Sequence, residues 1–185
     1  VRTAGIPVVT SFAVERARRA GTGLHLDGAD GPAGGDFHLV VDAAGAGSPL
    51  REAAAPGARV EMLSYGAFWA TLEWPEAGFD PHALEQRYRR GSIMIGVLPI
   101  GRRQAGAPDQ CAFFWSLKPA DAAAVKARGI DAWKHEVVRL WPATRPLIDQ
   151  VAGFDDLALA RYGHHTLARP WGDGIVHIGD SAHAT

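Results

Sequence analysis

Residues 174–184 read GIVHIGDSAHA, an apolar run followed by small residues and one carboxylate. A short apolar run between turn residues is typical of a buried strand, and here it ends at Ile178. Backbone N–H groups exposed where a strand leads into a helix bind anions, and small side chains let a phosphate approach the backbone. The stretch therefore predicts a strand whose end contacts a nucleotide-like ligand, and Asp180 can also cap a following helix.

The stretch HLVVDAAGAGSPLRE, residues 38–52, is a second strand followed by a glycine-rich corner. Its core, Leu39–Val41, is short and wholly apolar, which predicts a strand buried on both faces. The corner lets the backbone approach another group closely and has a cation beside it; its residues are Asp42, Gly45, Gly47, Ser48 and Arg51. Glycine-rich turns are common, so a plain strand-to-loop turn with a surface arginine fits the same residues.

Strand-like and helical patterns fill the rest of the chain. Apolar runs at Ile6–Val14 and residues 22–29 predict strands before the glycine corner. Three bulky runs predict neighbouring strands of an antiparallel or mixed sheet: residues 65–74, 91–101 and 110–117. Helices follow, with stops at Gly129, Pro142 and Gly153, and then another strand-like run at residues 157–167.

This order predicts a nucleotide-binding framework interrupted by a large α+β insertion. In the insertion, the two-residue period of a strand places Phe113 and Trp115 on one face of the sheet and Phe114 on the other. The expected segments are residues 1–52 and 169–185 for the framework and residues 53–168 for the inserted sheet domain.

Composition excludes several classes of function. The 185 residues carry a net charge of -1 and contain no basic run, so we expect no nucleic-acid partner. No apolar stretch approaches the length of a membrane span, and the single cysteine, Cys111, is typical of a cytoplasmic protein with a buried thiol. No metal site is predicted, because His164 and His165 are adjacent on a strand and point to opposite faces.

Residues 38–52 and 174–184 together resemble the group A FAD-dependent monooxygenases, the aromatic-hydroxylase-like flavoproteins. In that family a strand ends in an Ala-Asp-Gly turn followed by Ser and Arg, and a later strand is followed by Gly-Asp-Ala-Ala-His. The matching residues here are Gly45, Ser48 and Arg51 in the first motif and Gly179, Asp180, Ala182 and His183 in the second. One departure is Ala44, which stands where the family has its aspartate; the nearest carboxylate is Asp42.

The resemblance implies an α/β fold: part of a Rossmann-like FAD domain and a substrate domain whose mixed or antiparallel sheet carries helices on one face. It also implies FAD as cofactor, NADH or NADPH as co-substrate, and insertion of one oxygen atom into an aromatic or electron-rich small molecule. The residues expected at the cofactor are Gly45, Ser48, Arg51, Gly179, Asp180, Ser181, Ala182 and His183. Those expected at the substrate are Trp69, Phe113 and Trp115. No acid–base residue is predicted, because the cofactor supplies the reactive oxygen.

The chain has no Gly-x-Gly-x-x-Gly strand–turn–helix motif, so we expect it to be a piece of a longer enzyme that cannot hold FAD or act by itself. Strand edges left unpaired by such a boundary predict a homodimer. Two alternatives stay open. One is a flavin-dependent reductase or halogenase-like oxidoreductase on the same framework, and the other is an inert binding or interaction module.

Overall fold

The computed structural model describes residues 4–76 and 78–184, which divide into two compact units, Val1–Met62 with Gly163–Thr185, and Leu63–Tyr162. The strands are β1 Val14–Ala20, β2 Gly23–Gly28, β3 Gly31–Pro32, β4 Val40–Asp42, β5 Glu61–Glu73, β6 Glu85–Arg89, β7 Ile93–Arg102, β8 Asp109–Leu117, β9 Ala158–Thr166, β10 Trp171–Gly172, β11 Ile175–His177 and β12 His183–Ala184. The α-helices are α1 Arg51–Ala54, α2 Ala122–Ala127, α3 Ile130–Leu140 and α4 Arg145–Ile148. None of these helices is long and apolar enough to span a membrane.

The first unit contains two three-stranded sheets, in the orders β1-β2-β3 and β10-β11-β4. In the second of these, β4 and β11 are parallel, with Val40 opposite Ile175 and Asp42 opposite His177. The apolar side chains beneath the pair, including Leu24, are buried together. Parallel pairing puts the carboxyl ends of the two strands at one edge of the sheet, so the loops that follow them are neighbours.

Two strand predictions in this unit are corrected. A strand is predicted over Ile6–Val14, but β1 begins only at Val14. The reason is that an apolar β-branched run forms a strand only with a partner, and β2 pairs with Val14–Ala20 instead. The strand predicted to be buried on both faces is buried on one, since Val40 is covered while Leu39 is 59% exposed and Val41 is 53% exposed.

The second unit is a sheet covered on one face by helices, with its strands in the order β9-β5-β8-β7-β6. The three predicted bulky strands are confirmed as β5, β7 and β8, and both pairs formed by β8 are antiparallel. The helix-facing side chains of the sheet pack around Trp133 of α3, which is fully buried. The predicted stop at Gly129 is also confirmed: its φ of +87°, in the left-handed region, ends the segment before α3.

The structure confirms the mixed helix and sheet content, with antiparallel sheets. The boundaries between the compact units follow Met62 and Tyr162, whereas the predicted boundaries follow residues 52 and 168. Both structural boundaries lie inside long strands, β5 and β9, which carry no composition change that a sequence pattern could mark.

Candidate functional site

A buried carboxylate–imidazole pair joins the ends of β4 and β11. Asp42 and His177 lie opposite each other in the parallel register, and His177 Nδ1 is 2.6 Å from Asp42 Oδ2. The same oxygen accepts a hydrogen bond from Ser48 Oγ at 2.6 Å, and Oδ1 accepts one from the Ala44 N–H at 3.0 Å. Both side chains of the pair are almost completely buried. The loop after β4 is therefore folded around the Asp42 carboxylate.

The protonation of this pair follows from its surroundings. Burial raises the pKa of Asp42, but the hydrogen bonds from Ser48, the Ala44 N–H and His177 together lower it by more than burial raises it. The pKa of Asp42 therefore lies below its ordinary value. The ionised carboxylate only accepts hydrogen bonds, so His177 Nδ1 carries the proton of the shared bond. Among the residues that the structure describes, His177 Nε2 has no hydrogen-bond partner.

The loop after β11 is tied to the main chain of Asp42. Ser181 Oγ donates to the Asp42 carbonyl oxygen at 2.7 Å, and the Ile178 N–H donates to the same oxygen at 2.9 Å. The Ser181 carbonyl in turn accepts a hydrogen bond from Arg51 Nε at 3.3 Å, and the Arg51 guanidinium also contacts the Ala46 carbonyl. Arg51 thus bridges both loops. We call residues 43–50 the first loop and residues 178–182 the second loop.

The residues predicted to contact a cofactor all lie on or beside these loops, but they face in different directions. Ser48 and Ser181 are buried, with their hydroxyls bonded to protein groups. Asp180 and His183 are exposed, and His183 Nδ1 is 2.6 Å from Thr166 Oγ1. Hence the two serine side chains hold the loops from the protein interior, while the Asp180 side chain is exposed and accessible to a ligand.

Glycines give the loops an open outer surface. Gly45 and Gly179 have φ values of +80° and +56°, in the left-handed region where a side chain is strained. A Cβ built on Gly45, Gly47 or Gly179 would meet nothing within 4 Å. Space is therefore open around the backbone of both loops, next to exposed Ala44.

Asp42 and His177 themselves were not among the predicted site residues. In the sequence, Asp42 is the residue of the glycine-rich corner that ends the first strand and the carboxylate nearest to Ala44, and His177 is one member of an apolar strand. Both residues end their strands, which by itself is only a weak indication of a functional site. Their contact depends on the parallel register of β4 and β11, which no local pattern specifies.

The three predicted substrate residues do not share a face of the sheet, and this corrects the prediction that they line one pocket. Phe113 and Trp115 point toward the helices, where each ring lies 6.2 Å from that of Trp133. Trp69 pairs with Phe114 in the register of β5 and β8 and so lies on the opposite face. The strand period was correct, but the helices cover the face that we expected to bind substrate.

The face opposite the helices carries a connected set of aromatic side chains. The rings of Trp69 and Phe114 are 4.9 Å apart, and Trp69 Nε1 donates a hydrogen bond to Tyr162 Oη at 2.5 Å. The ring of Phe114 lies over Gly96 of β7, where a Cβ would overlap its Cζ and Cε1 atoms. Gly96 therefore leaves room for the distal end of the Phe114 ring. The half-buried side chains of Met94 and Leu98 continue this face.

A cavity of about 680 Å³ lies at the helix side of the sheet and is lined in part by Trp115. Two of its arginines share one carboxylate, because Glu136 is 3.2 Å from Arg89 and 3.3 Å from Arg128. Neither Trp69 nor Phe114 is among the residues that line it, so this cavity is distinct from the aromatic face around Trp69.

The fold described here is that of FAD-dependent aromatic hydroxylases and related monooxygenases of known structure. The chain is similar to 2,6-dihydroxypyridine-3-hydroxylase from Arthrobacter nicotinovorans, with 14% identity and a TM-score of 0.68 over 94% of this chain and 49% of that one. It is also similar to Klebsiella pneumoniae HpxO complexed with FAD and uric acid, with 18% identity and a TM-score of 0.65 over 94% and 43% of the two chains.

A third similar structure is PqsL from Pseudomonas aeruginosa, a probable FAD-dependent monooxygenase, at 18% identity and a TM-score of 0.63 over 91% and 46% of the chains. This chain therefore spans less than half the length of each of the three. No family model matches the sequence, and no curated protein matches it.

Proposed function

We propose that this chain forms part of an FAD-dependent monooxygenase that inserts one oxygen atom into an aromatic or electron-rich small molecule, with NADH or NADPH as reductant. The observation that carries the proposal is the parallel pairing of β4 with β11. It brings two glycine-containing loops together at the carboxyl ends of neighbouring strands, which is where nucleotides bind to α/β sheets.

The two loops fit the ribityl and pyrophosphate part of FAD. Their outer surface combines open space at Gly45, Gly47 and Gly179 with the exposed carboxylate of Asp180. Small residues let a phosphate reach backbone N–H groups, and a carboxylate accepts hydrogen bonds from sugar hydroxyls. Asp180 and the loop backbones are the proposed contacts. The buried network of Asp42, Ser48 and Ser181 is proposed to act behind them, by fixing the loop backbones.

FAD, when bound, supplies the redox chemistry and the activated oxygen, so the protein must bind, orient and desolvate the substrate. We assign substrate binding to the aromatic face of the second unit. The half-buried ring of Trp69 offers surface for an aromatic molecule, the buried ring of Phe114 packs against it, and Tyr162 fixes the orientation of Trp69 through its hydroxyl. Phe113 and Trp115 are assigned to the core that supports this face from behind.

Labelled dioxygen tests the reaction class. The protein encoded by the complete reading frame is supplied with NADH or NADPH and a panel of hydroxylated aromatic and heteroaromatic compounds. We expect one compound to stimulate oxygen uptake and to yield a product that carries one labelled oxygen atom. Trp69→Ala should weaken this stimulation, whereas a matched exposed-site change, Tyr88→Ala, should not.

Two results would contradict the assignment. Nicotinamide oxidation with no oxygen incorporated into any product would favour a flavin reductase, and halide-dependent product formation would favour a halogenase-like enzyme.

A further inference from the structure

We propose that Asp42 and His177 are positioning residues, and that their buried contact holds the first and second loops in the conformation that binds flavin. The inference rests on the proposed function, since it assigns to the pair a part in cofactor binding. Neither side chain is itself placed at the cofactor, because both are almost completely buried.

The pair is built as a charged hydrogen-bonded unit rather than as apolar packing. A carboxylate taken out of water is strongly destabilising unless donors replace its hydration. Asp42 has three donors: Ser48 Oγ, the Ala44 N–H and His177 Nδ1. The first two belong to the first loop, and the third belongs to β11. Losing His177 would therefore leave the carboxylate dependent on the first loop alone.

The contact reaches both loops through short chains of hydrogen bonds. Ser48 Oγ donates to Asp42 and accepts from the Leu50 N–H at 3.1 Å, so the carboxylate orders the end of the first loop. The Asp42 carbonyl accepts from Ile178 and Ser181, which orders the second loop. Asp180 lies between those two residues. A displacement of Asp42 or His177 would therefore move the exposed carboxylate that is proposed to meet the ligand.

His177 has a matched pair of replacements. The side-chain amide nitrogen of asparagine lies close to the position of histidine Nδ1, so His177→Asn can still donate to Asp42. His177→Leu is of similar size to asparagine but cannot donate. An apolar residue suits a strand over a hydrophobic core, so a purely structural role would favour leucine over asparagine. A hydrogen-bonded positioning role predicts the reverse order.

Hydrogen exchange in the flavin-free 185-residue chain tests the contact itself. Exchange of a protected amide reports the free energy of its local opening. We expect His177→Leu to speed exchange at the Ala44 and Ile178 amides at least about tenfold, or about 1.4 kcal/mol, the scale of a lost hydrogen bond to a buried charge. His177→Asn should keep both rates within about threefold of the wild type. Exchange at Phe113, in the other unit, should not change.

The control is His135→Leu, on the exposed surface of α3. It should leave the exchange rates of both loops unchanged. The proposal is overturned if leucine protects the loop amides as well as asparagine does. It is also overturned if His177→Leu accelerates Phe113 as much as Ala44, which would indicate general destabilisation. Should His177→Leu fail to fold, Ser48→Ala provides the same comparison by removing another donor to Asp42.

Flavin binding separates this inference from the proposed function. In the protein from the complete reading frame, the Kd for FAD should rise about tenfold with His177→Leu and return to within about threefold of the wild type with His177→Asn. An unchanged Kd for the leucine variant would overturn the positioning role while leaving the proposed function intact. Failure of the wild type to bind FAD would overturn both, whatever the exchange rates.

Discussion

The contact between Gly96 and Phe114 gives a sharp prediction about the aromatic face. In Gly96→Ala the new Cβ would lie 2.8 Å from Phe114 Cε2 and closer still to Cζ and Cε1. Carbon atoms in ordinary contact are about 3.5–4.0 Å apart, so the ring must retreat by more than about 1 Å. It cannot do so freely, because Trp69 lies against Phe114 and is itself held by Tyr162.

The expected loss of stability follows from opposing contributions. Overpacking a well-packed site costs about 1–3 kcal/mol and more where neighbours cannot move. Burying one extra methyl group returns about 0.8 kcal/mol, and replacing glycine restricts the unfolded chain by a further ~0.4–1 kcal/mol. Because the overlap in Gly96→Ala involves three ring atoms, we expect a net loss of about 2 kcal/mol. For a chain of this length that lowers the Tm by about 4–8 °C.

Urea unfolding monitored by tryptophan fluorescence measures this loss, with Gly91→Ala as control. Gly91 precedes the same strand, β7, and a Cβ there would meet nothing within 4 Å. In the background of Phe114→Ala, the Gly96→Ala change should be neutral or stabilising by up to about 1 kcal/mol. The coupling between the two sites should therefore reach about 2–3 kcal/mol. An equal cost of Gly96→Ala with and without the Phe114 ring would refute this reasoning.

Three other perturbations address the core, the buried pair and the exposed strand. Burial raises the pKa of the Cys111 thiol to about 11, so the thiol of the native protein should resist alkylation. The free energy of unfolding should fall by about 2–3 kcal/mol between about pH 9 and 11, because only the unfolded thiol ionises in that range. The pKa of Asp42 is lowered, so its contribution to stability is present above its unfolded pKa of about 4 and is lost as the pH falls through the folded pKa. In thermal melts at acidic pH, Asp42→Asn should therefore show a weaker dependence of Tm on pH than the wild type. Exposed Val41 on β4 should promote self-association of the 185-residue chain, and Val41→Lys should reduce the particle size measured by light scattering. A wild-type chain that stays monomeric at high concentration would contradict this.

Local patterns predicted much of the second unit. The alternation in β8 correctly separated Phe113 and Trp115 from Phe114, because the two-residue period is a property of the strand itself. The same pattern could not show which face the helices would cover. That choice depends on packing against Trp133, far along the chain, so the predicted pocket was placed on the buried face.

The site in the first unit shows the same division. Small residues after two apolar strands correctly indicated loops with an exposed backbone, at Gly45 and Gly179. The resemblance places Ser48 and Ser181 among the cofactor residues, Ser48 with Arg51 to hold the turn that faces the cofactor; in the structure both hydroxyls are bonded inside the protein. The organising contact between Asp42 and His177 could not be predicted, because it joins residues 135 positions apart through a parallel register.

Flavin content tests the central claim most directly. The protein from the complete reading frame should purify with FAD in a one-to-one ratio, and Gly179→Val should lose it because a side chain would occupy the open surface of the second loop and strain a left-handed backbone. Gly91→Ala should retain the cofactor. A wild-type protein that neither retains FAD nor binds it when it is added, or a Gly179→Val variant with unchanged FAD affinity, would contradict the account.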